Sequence, residues 1–469
     1  MTKKLISILL MILMAGAVFG CTNFTEESGD SHAAMEWGEI SLPTGASIDE
    51  NGNIIGADNS VIGNVSSGVP TLYNAPDKQI VIWADPEDDS VVAAIKNFEK
   101  KRPDVKVKLE NNSTVNIEAI SRALSSGQAP DILRLDHVYI TGFGRNGDLL
   151  DLNKYGAGNI ASKFVEPCWQ AVSHNGATYG IPGDANTIAF MYNQDMLNIA
   201  GKSVSDLATY EGVKETARAM KEAMPNKTPI TFPFFDNADA GRDSWGAFNF
   251  NFWIWGEGGD FLSPDYKTAI FNQQPGVDAM SKLISFATEN LTKTQYLEPD
   301  FYRGNVGMIE MGCWAIPSLV NNTHGQMLGV TTMPVKKAGV PGYSALGLYA
   351  WGVTKNRAKT EELRSEKMNQ VCFDFLENFL TDNALQVSWA RKNNFLPTTK
   401  SATANSAFSE SPVWSVFAKQ LHITKSRPGV INWLQIDGYI SKAINEAVRT
   451  KDVQTALDNA AARVNDLLK

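Results

Sequence analysis

The chain has 469 residues, long enough for two large lobes at roughly 100–200 residues per domain. Hydrophobic residues make up 43% and charged residues 20%, the balance of an ordinary soluble globular protein. The net charge of −9 argues against nucleic acid or an anionic surface as the main partner.

Residues 1–20 read as a secretory signal outside the fold. Lys3 and Lys4 form a positive n-region, Leu5 to Met14 an apolar core, and Val18-Phe19-Gly20 leads into Cys21. The apolar core is short for a membrane span. A cysteine directly after a small residue resembles the lipobox of bacterial lipoproteins, which implies cleavage before Cys21 and a lipid anchor on its thiol. Residues 22–78 are rich in Gly, Ser, Asn and Asp and carry few large apolar residues, so 21–78 is expected to be a lipidated cysteine with a flexible tether. Within it, Asn51-Gly52 between Ile48 and Ile54 is a hairpin signal.

Folded structure is expected from Gln79. Ile80 to Trp83 is a short β-branched run that predicts a buried strand, with Asp85 in the polar turn behind it. Val91, Val92, Ile95 and Phe98 recur at helical spacing, and Pro103 stops that helix. Val105 to Leu109 alternates as a strand, and Ile117, Ile120 and Leu124 mark a second helix. After Pro130, Ile132 to Leu135 predicts a third strand, closed by Asp136 and His137. The order β-α-β-α-β implies a parallel sheet with helices on its faces. Ligands of such sheets sit beyond the carboxyl ends of strands, where Asp136 and His137 would lie.

Tyr179 to Thr187 packs Gly180, Pro182 and Gly183 close together, which suits a crossover between lobes, and Ile188 to Tyr192 reads as a strand. A dense aromatic segment follows, with Trp245, Phe248, Phe250, Phe252, Trp253 and Trp255, ended by glycines at 256, 258 and 259. Residues 277–290 carry a helical apolar face, and 301–314 reads as a strand ending at Gly312 with Trp314 just behind it. Residues 342–354, including Tyr349 and Trp351, read as a strand returning to the first lobe. Val371 to Leu380 is an amphipathic helix, and from Val413 the chain is mostly helical, interrupted at Pro428 and Gly429. Cys168, Cys313 and Cys372 have no metal-site spacing and read as buried free thiols. No G-x-S-x-G, H-E-x-x-H or phosphate-binding loop occurs, and the five histidines lie far apart. Asp131 and Asp136 stand at opposite ends of one strand, a poor arrangement for a glycosidase pair. No enzymatic activity and no cofactor or metal are expected.

Taken together, these blocks resemble the family 1 extracellular solute-binding proteins, the group of maltose-binding protein. The resemblance runs over roughly 79–469 and rests on ordered motifs. These are Ile80–Asp85, Ser126–Asp131, Tyr179–Pro182 with Tyr192-Asn193, Trp255–Gly259, Phe301–Trp314 and the Gly-rich stretch 345–353. It implies an α/β, two-lobed periplasmic-binding-protein fold, each lobe a mainly parallel sheet flanked by helices, joined by hinge strands. The lobes are expected at 79–184 with 347–405, and at 185–346 with 406–469. Carried over residue by residue, Trp83 and Asp85 match a sugar-contacting strand end, and Asp136 an acidic position after the Pro-Asp strand. Asn186 stands near a hinge position often acidic in sugar binders. Trp314 matches a platform tryptophan, Trp433 lies close to a late one, and Trp245 falls in a variable aromatic region. Trp351 and His137 complete the expected contact set. The family implies a monomer that delivers a mono- or oligosaccharide to permease subunits of an ABC importer.

A pyranose has an apolar face and a rim of hydroxyls, which suits tryptophan with carboxylates or amides around it. The same groups also cage amines, so a polyamine or other cation is the alternative solute, and a sensor ectodomain partner the alternative role.

Overall fold

The structure, a computed structural model, describes residues 46–49, 51, 53–55, 61–66, 69–72, 78–84, 88–111, 117–232, 245–293, 295–322, 324–340, 342–355 and 366–469. Two compact units are separated near residue 75. In the first, β1 (Ser47–Ile48), β2 (Asn53–Ile55), β3 (Val61–Ser66) and β4 (Val69–Leu72) form a four-stranded antiparallel sheet. The hairpin signal at Asn51-Gly52 therefore sits in a larger sheet, inside a stretch whose composition suggested a plain tether. Asp49 organises the turn by accepting bonds from the Asn51 and Asn53 amides at 2.9 and 2.8 Å.

The second unit opens with β5 (Lys78–Ala84), β6 (Val105–Asn111) and β7 (Ile132–Asp136), separated by helices Asp89–Lys101 and Ile117–Ser126. β5 pairs in parallel with both β6 and β7, as the alternation of patterns requires. Local chemistry sets the boundaries. The Asp88 side chain caps the first helix by accepting from Ser90, and Lys100 and Lys101 end it, the sign order that complements a helix dipole. Asp136 caps helix His137–Asn146 through the Val138 amide, and Gly147 at φ 88° terminates it.

After a short hairpin of β8 (Ser173–His174) and β9 (Ala177–Thr178), the chain enters β10 (Ile181–Asn193), a thirteen-residue strand that organises everything beyond it. β11 (Thr228–Thr231), β12 (Val306–Gly312), β13 (Leu328–Thr331), β14 (Ser344–Val353), β15 (Leu396–Pro397) and β16 (Thr424–Lys425) complete the sheet. Its order is β11-β12-β10-β14-β7-β5-β6, with β13 and β15 on β10 and β16 on β14. β10 and β14 run antiparallel through the middle, so both halves of this sheet hang on the same two strands. In the C-terminal part the sheet is mixed rather than mainly parallel: β11–β12 and β14–β16 are parallel, while β10 pairs antiparallel with β12 and β13. Local patterning reports that a strand exists, not which neighbour it meets.

Three apolar clusters fill the unit. One lies under β5, β7 and helix Glu366–Leu380. A second lines the central strands with helix Trp414–Leu421. The third joins helices Tyr210–Ala223, Trp245–Gly256, Gln274–Thr288, Trp433–Thr450 and Val453–Leu467. The aromatics at 250, 252, 253 and 255 belong to that last core. Cys168, Cys313 and Cys372 are buried and form no disulfide, as their spacing suggested.

Candidate functional site

Strand register places the site. Asp136 at the end of β7 stands opposite Tyr349 on β14, and Tyr349 stands opposite Asp184 on β10. Directly paired residues project to one face, so these three form a row across the sheet. The next row pairs Asn186 with Gly347, and the next pairs Ile188 with Gly312 of β12. Trp314 follows two residues later. Three strand spacings across the sheet, about 14 Å, and four residues along β10, about 13 Å, thus separate Asp136 from the Gly312–Trp314 corner, about 19 Å in all.

The half-buried groups on this line are Asp136, Tyr349, Asn186 and Trp314. Trp314 folds back over Gly312, where a Cβ would fall 1.9 Å from its ring, so only glycine lets the indole lie flat there. Asn186 lies across Gly347 in the same way, with its Oδ1 2.1 Å from where a Cβ would stand. Tyr139, in the first turn of helix His137–Asn146, is also half-buried and packs against the same two apolar clusters as Trp314. Two half-buried aromatics, Tyr139 just behind β7 and Trp314 just behind β12, thus flank the two strands that carry a half-buried amide, Asn186, and a half-buried phenol, Tyr349.

Two ion pairs stiffen this region. Arg134 Nη2 donates to Asp184 Oδ1 at 2.7 Å, with the side chains 16% and 1% exposed. Its guanidinium lies 4.2 Å from the Tyr349 ring centre and 5.3 Å from that of Trp389. Burial holds the Asp184 carboxyl above its ordinary range, with Arg134 opposing that shift. Asp136 has both oxygens engaged: Oδ1 accepts from Val138 N at 3.0 Å and Oδ2 from Arg427 Nη2 at 2.7 Å. Desolvation raises its pKa, but Arg427, His137 and the Val138 amide outweigh that and hold it well below the carboxylate range.

Several expected contact residues have other roles. Trp351 is fully buried, edge-on to Phe379 at 5.5 Å and Trp389 at 6.0 Å, because helix Glu366–Leu380 covers its face of the sheet. Trp433 is 2% exposed and packs edge-on to Phe261 at 5.6 Å in the helical core. His137 is 1% exposed, its Nδ1 3.1 Å from Asp136, and offers no open face to a solute. Trp83 pairs with Leu133 and so sides with the face away from Asp136, where its indole donates to Glu110 at 3.0 Å. Asp85, Cys21 and the Trp245 side chain lie outside the described residues. Asp131 binds the Val81 amide at 2.7 Å from the far end of β7, so it does not converge with Asp136. Tyr139 and Arg427 were not legible as site residues. An aromatic in a first helical turn and an arginine 291 residues from its partner leave no local pattern. Among the described residues no His, Cys, Asp and Glu cluster suits a metal ion.

Comparison with known proteins agrees with this architecture. The maltotriose-binding protein of Pyrococcus abyssi is 24% identical over 273 residues, covering 55% of this chain; the match spans about half of that relative, 53%. The cyclic alpha-maltosyl-1,6-maltose binding protein of Arthrobacter globiformis superposes with a TM-score of 0.72 at 20% identity, over 83% of this chain and 99% of its own. The sugar-binding protein MalE of Xanthomonas citri gives a TM-score of 0.69 at 18% identity, over 83% and 97%. These likenesses establish the two-lobed binding-protein fold. With residues 93–414 matching the family profile, the chain belongs to the bacterial extracellular solute-binding proteins.

Proposed function

We propose that the protein captures a carbohydrate, a mono- or oligosaccharide, between its two lobes and delivers it to the permease of an ABC importer. The lobes are 79–184 with 347–405 and 185–346 with 406–469. The chain acts as a monomer held on the extracytoplasmic side of the bacterial cell membrane by a lipid on Cys21. The observation that carries this reading is the half-buried set of Tyr349 and Asn186 on the paired strands β14 and β10, with Tyr139 and Trp314 packed against the same two apolar clusters behind β7 and β12. Aromatic plates cover the apolar faces of a sugar, and the amide and phenol meet its hydroxyl rim. Relatives named for maltotriose and maltosyl-maltose add weight to an oligosaccharide. Closure is a population shift that a solute drives by contacting both lobes.

The test is a thermal-shift screen over sugars, polyols, amines and amino acids. A ligand at a hundred times its dissociation constant should stabilise the fold by about 2.7 kcal/mol. Small-angle scattering should show compaction with the same ligand. Stabilisation by a polyamine with no response to any sugar would move the reading to the cationic solute.

A further inference from the structure

The turn 263–268 carries at its tip a tyrosine with an uncommon backbone. Its flanks are anchored in the helical core, where Phe261, Leu262 and Ala269 are buried and Leu262 bridges Ala269. At its tip Tyr266 adopts φ +59°, a left-handed conformation unusual for an aromatic residue and kept only where the surroundings impose it. Asp265 fixes the turn by accepting from Ser263 Oγ at 2.6 Å and from the Lys267 amide at 3.2 Å.

The ring this backbone presents is gripped from the other lobe. The Arg145 guanidinium, on the helix that leaves β7, lies 4.7 Å from the Tyr266 ring centre. The His174 ring of β8 lies against it, tilted by 30° with the ring centres 5.1 Å apart. Arg145 also donates to the carbonyls of Gly429 at 3.0 Å and Asp265 at 3.4 Å, so one side chain holds two separate segments of the C-terminal lobe. Beside it the backbones meet directly. A Cβ on Gly142 would fall 2.8 Å from the Ile431 nitrogen, and one on Gly429 2.5 Å from the Thr141 Cβ. Val138 of the same helix is buried in the apolar cluster of the opposite lobe.

We propose that Arg145 and Tyr266 form a latch that sets how firmly the lobes close over the solute, without touching the solute themselves. This rests on the reading of the protein as a closing receptor. Both are positioning residues, and the affinity they confer comes through the open–closed equilibrium. Loss of either should weaken solute binding about tenfold, in line with one cation–π contact and charged hydrogen bonds.

The experiment compares the parent with Arg145→Ala and with Tyr266→Gly, which removes the ring while suiting the left-handed backbone. Melting temperature, calorimetric affinity for the best sugar of the screen, and radius of gyration with and without it are measured. The expected result is an unchanged or higher melting temperature for Tyr266→Gly, a larger radius in saturating sugar and about tenfold weaker binding in both variants. Variants that bind and compact like a sugar-binding parent would overturn the latch and leave the receptor reading intact. If the parent binds no sugar, ligand-free scattering decides. Expanded variants would keep the latch and sink the sugar reading, and identical profiles would overturn the latch as well.

Discussion

At Trp314 the indole lies over Gly312 and stays half-buried, just behind β12 rather than inside a core. Trp314→Ala should weaken sugar binding by roughly 1.5–3 kcal/mol, the scale of one large apolar side chain losing its partner. The ligand-free melting temperature should stay near that of the parent, and calorimetry with a thermal melt checks both. A large drop in melting temperature with normal binding would make Trp314 a packing residue like Trp351. Glu310 on β12 is a different case. It is 3% exposed, opposite Phe190, and neither oxygen has a well-aligned hydrogen-bond partner. Burial pushes its pKa well above the ordinary 4.5, with the neighbouring Trp253 indole a weaker opposing influence. The folded state therefore keeps a proton that the unfolded chain releases above 4.5. Stability contributed by this group must fall as pH rises from there toward the folded pKa. Glu310→Gln should flatten that slope, read as a smaller melting-temperature difference between about pH 5 and about pH 8.

Among the elements, β7, β14 and β10 act as one body because Arg134 on β7 reaches across β14 to Asp184 on β10. A register shift between Pro182 and Asp184 in the β10–β14 ladder turns the carboxylate toward that arginine. Arg134→Leu leaves a carboxylate buried with its counter-charge gone, which should cost about 3–5 kcal/mol in denaturant unfolding. Replacing both residues by leucine should recover much of that loss, since a buried pair is worth little against well-packed hydrophobes. An Arg134→Leu variant as stable as the parent would mean that Asp184 is neutral in the native state. The same strands carry Tyr349 and Asn186, so this rigidity also positions the candidate site.

For the whole molecule, the lipid anchor proposed on Cys21 would set where the receptor works. Cys21→Ala should move the protein from the detergent phase to the aqueous phase and release it from cell membranes. The reason is that the apolar stretch Leu5 to Met14 is too short for a comfortable span. No helix among the described residues is long and apolar enough to cross a membrane. Unchanged partitioning of the variant would sink the lipid anchor. What the chain determined alone was its sequence of elements. Pro103, Pro130 and Gly147 stop helices or admit strands by backbone sterics, and period-2 and period-3.6 patterns need no distant partner. Hence β5 to β7, the return strand β14 and the buried thiols were legible, and their order led to the correct family. The tertiary structure decided what depends on distant neighbours. An indole is equally apolar in a core or a cleft, so only packing against Phe379 and Phe261 shows that Trp351 and Trp433 are interior while Trp314 is not. Strand direction beyond β10, the Arg427 partner of Asp136 and the grip of Arg145 on Tyr266 likewise join residues remote in sequence. Such contacts form only when the chain closes on itself, and local pattern carries no record of them.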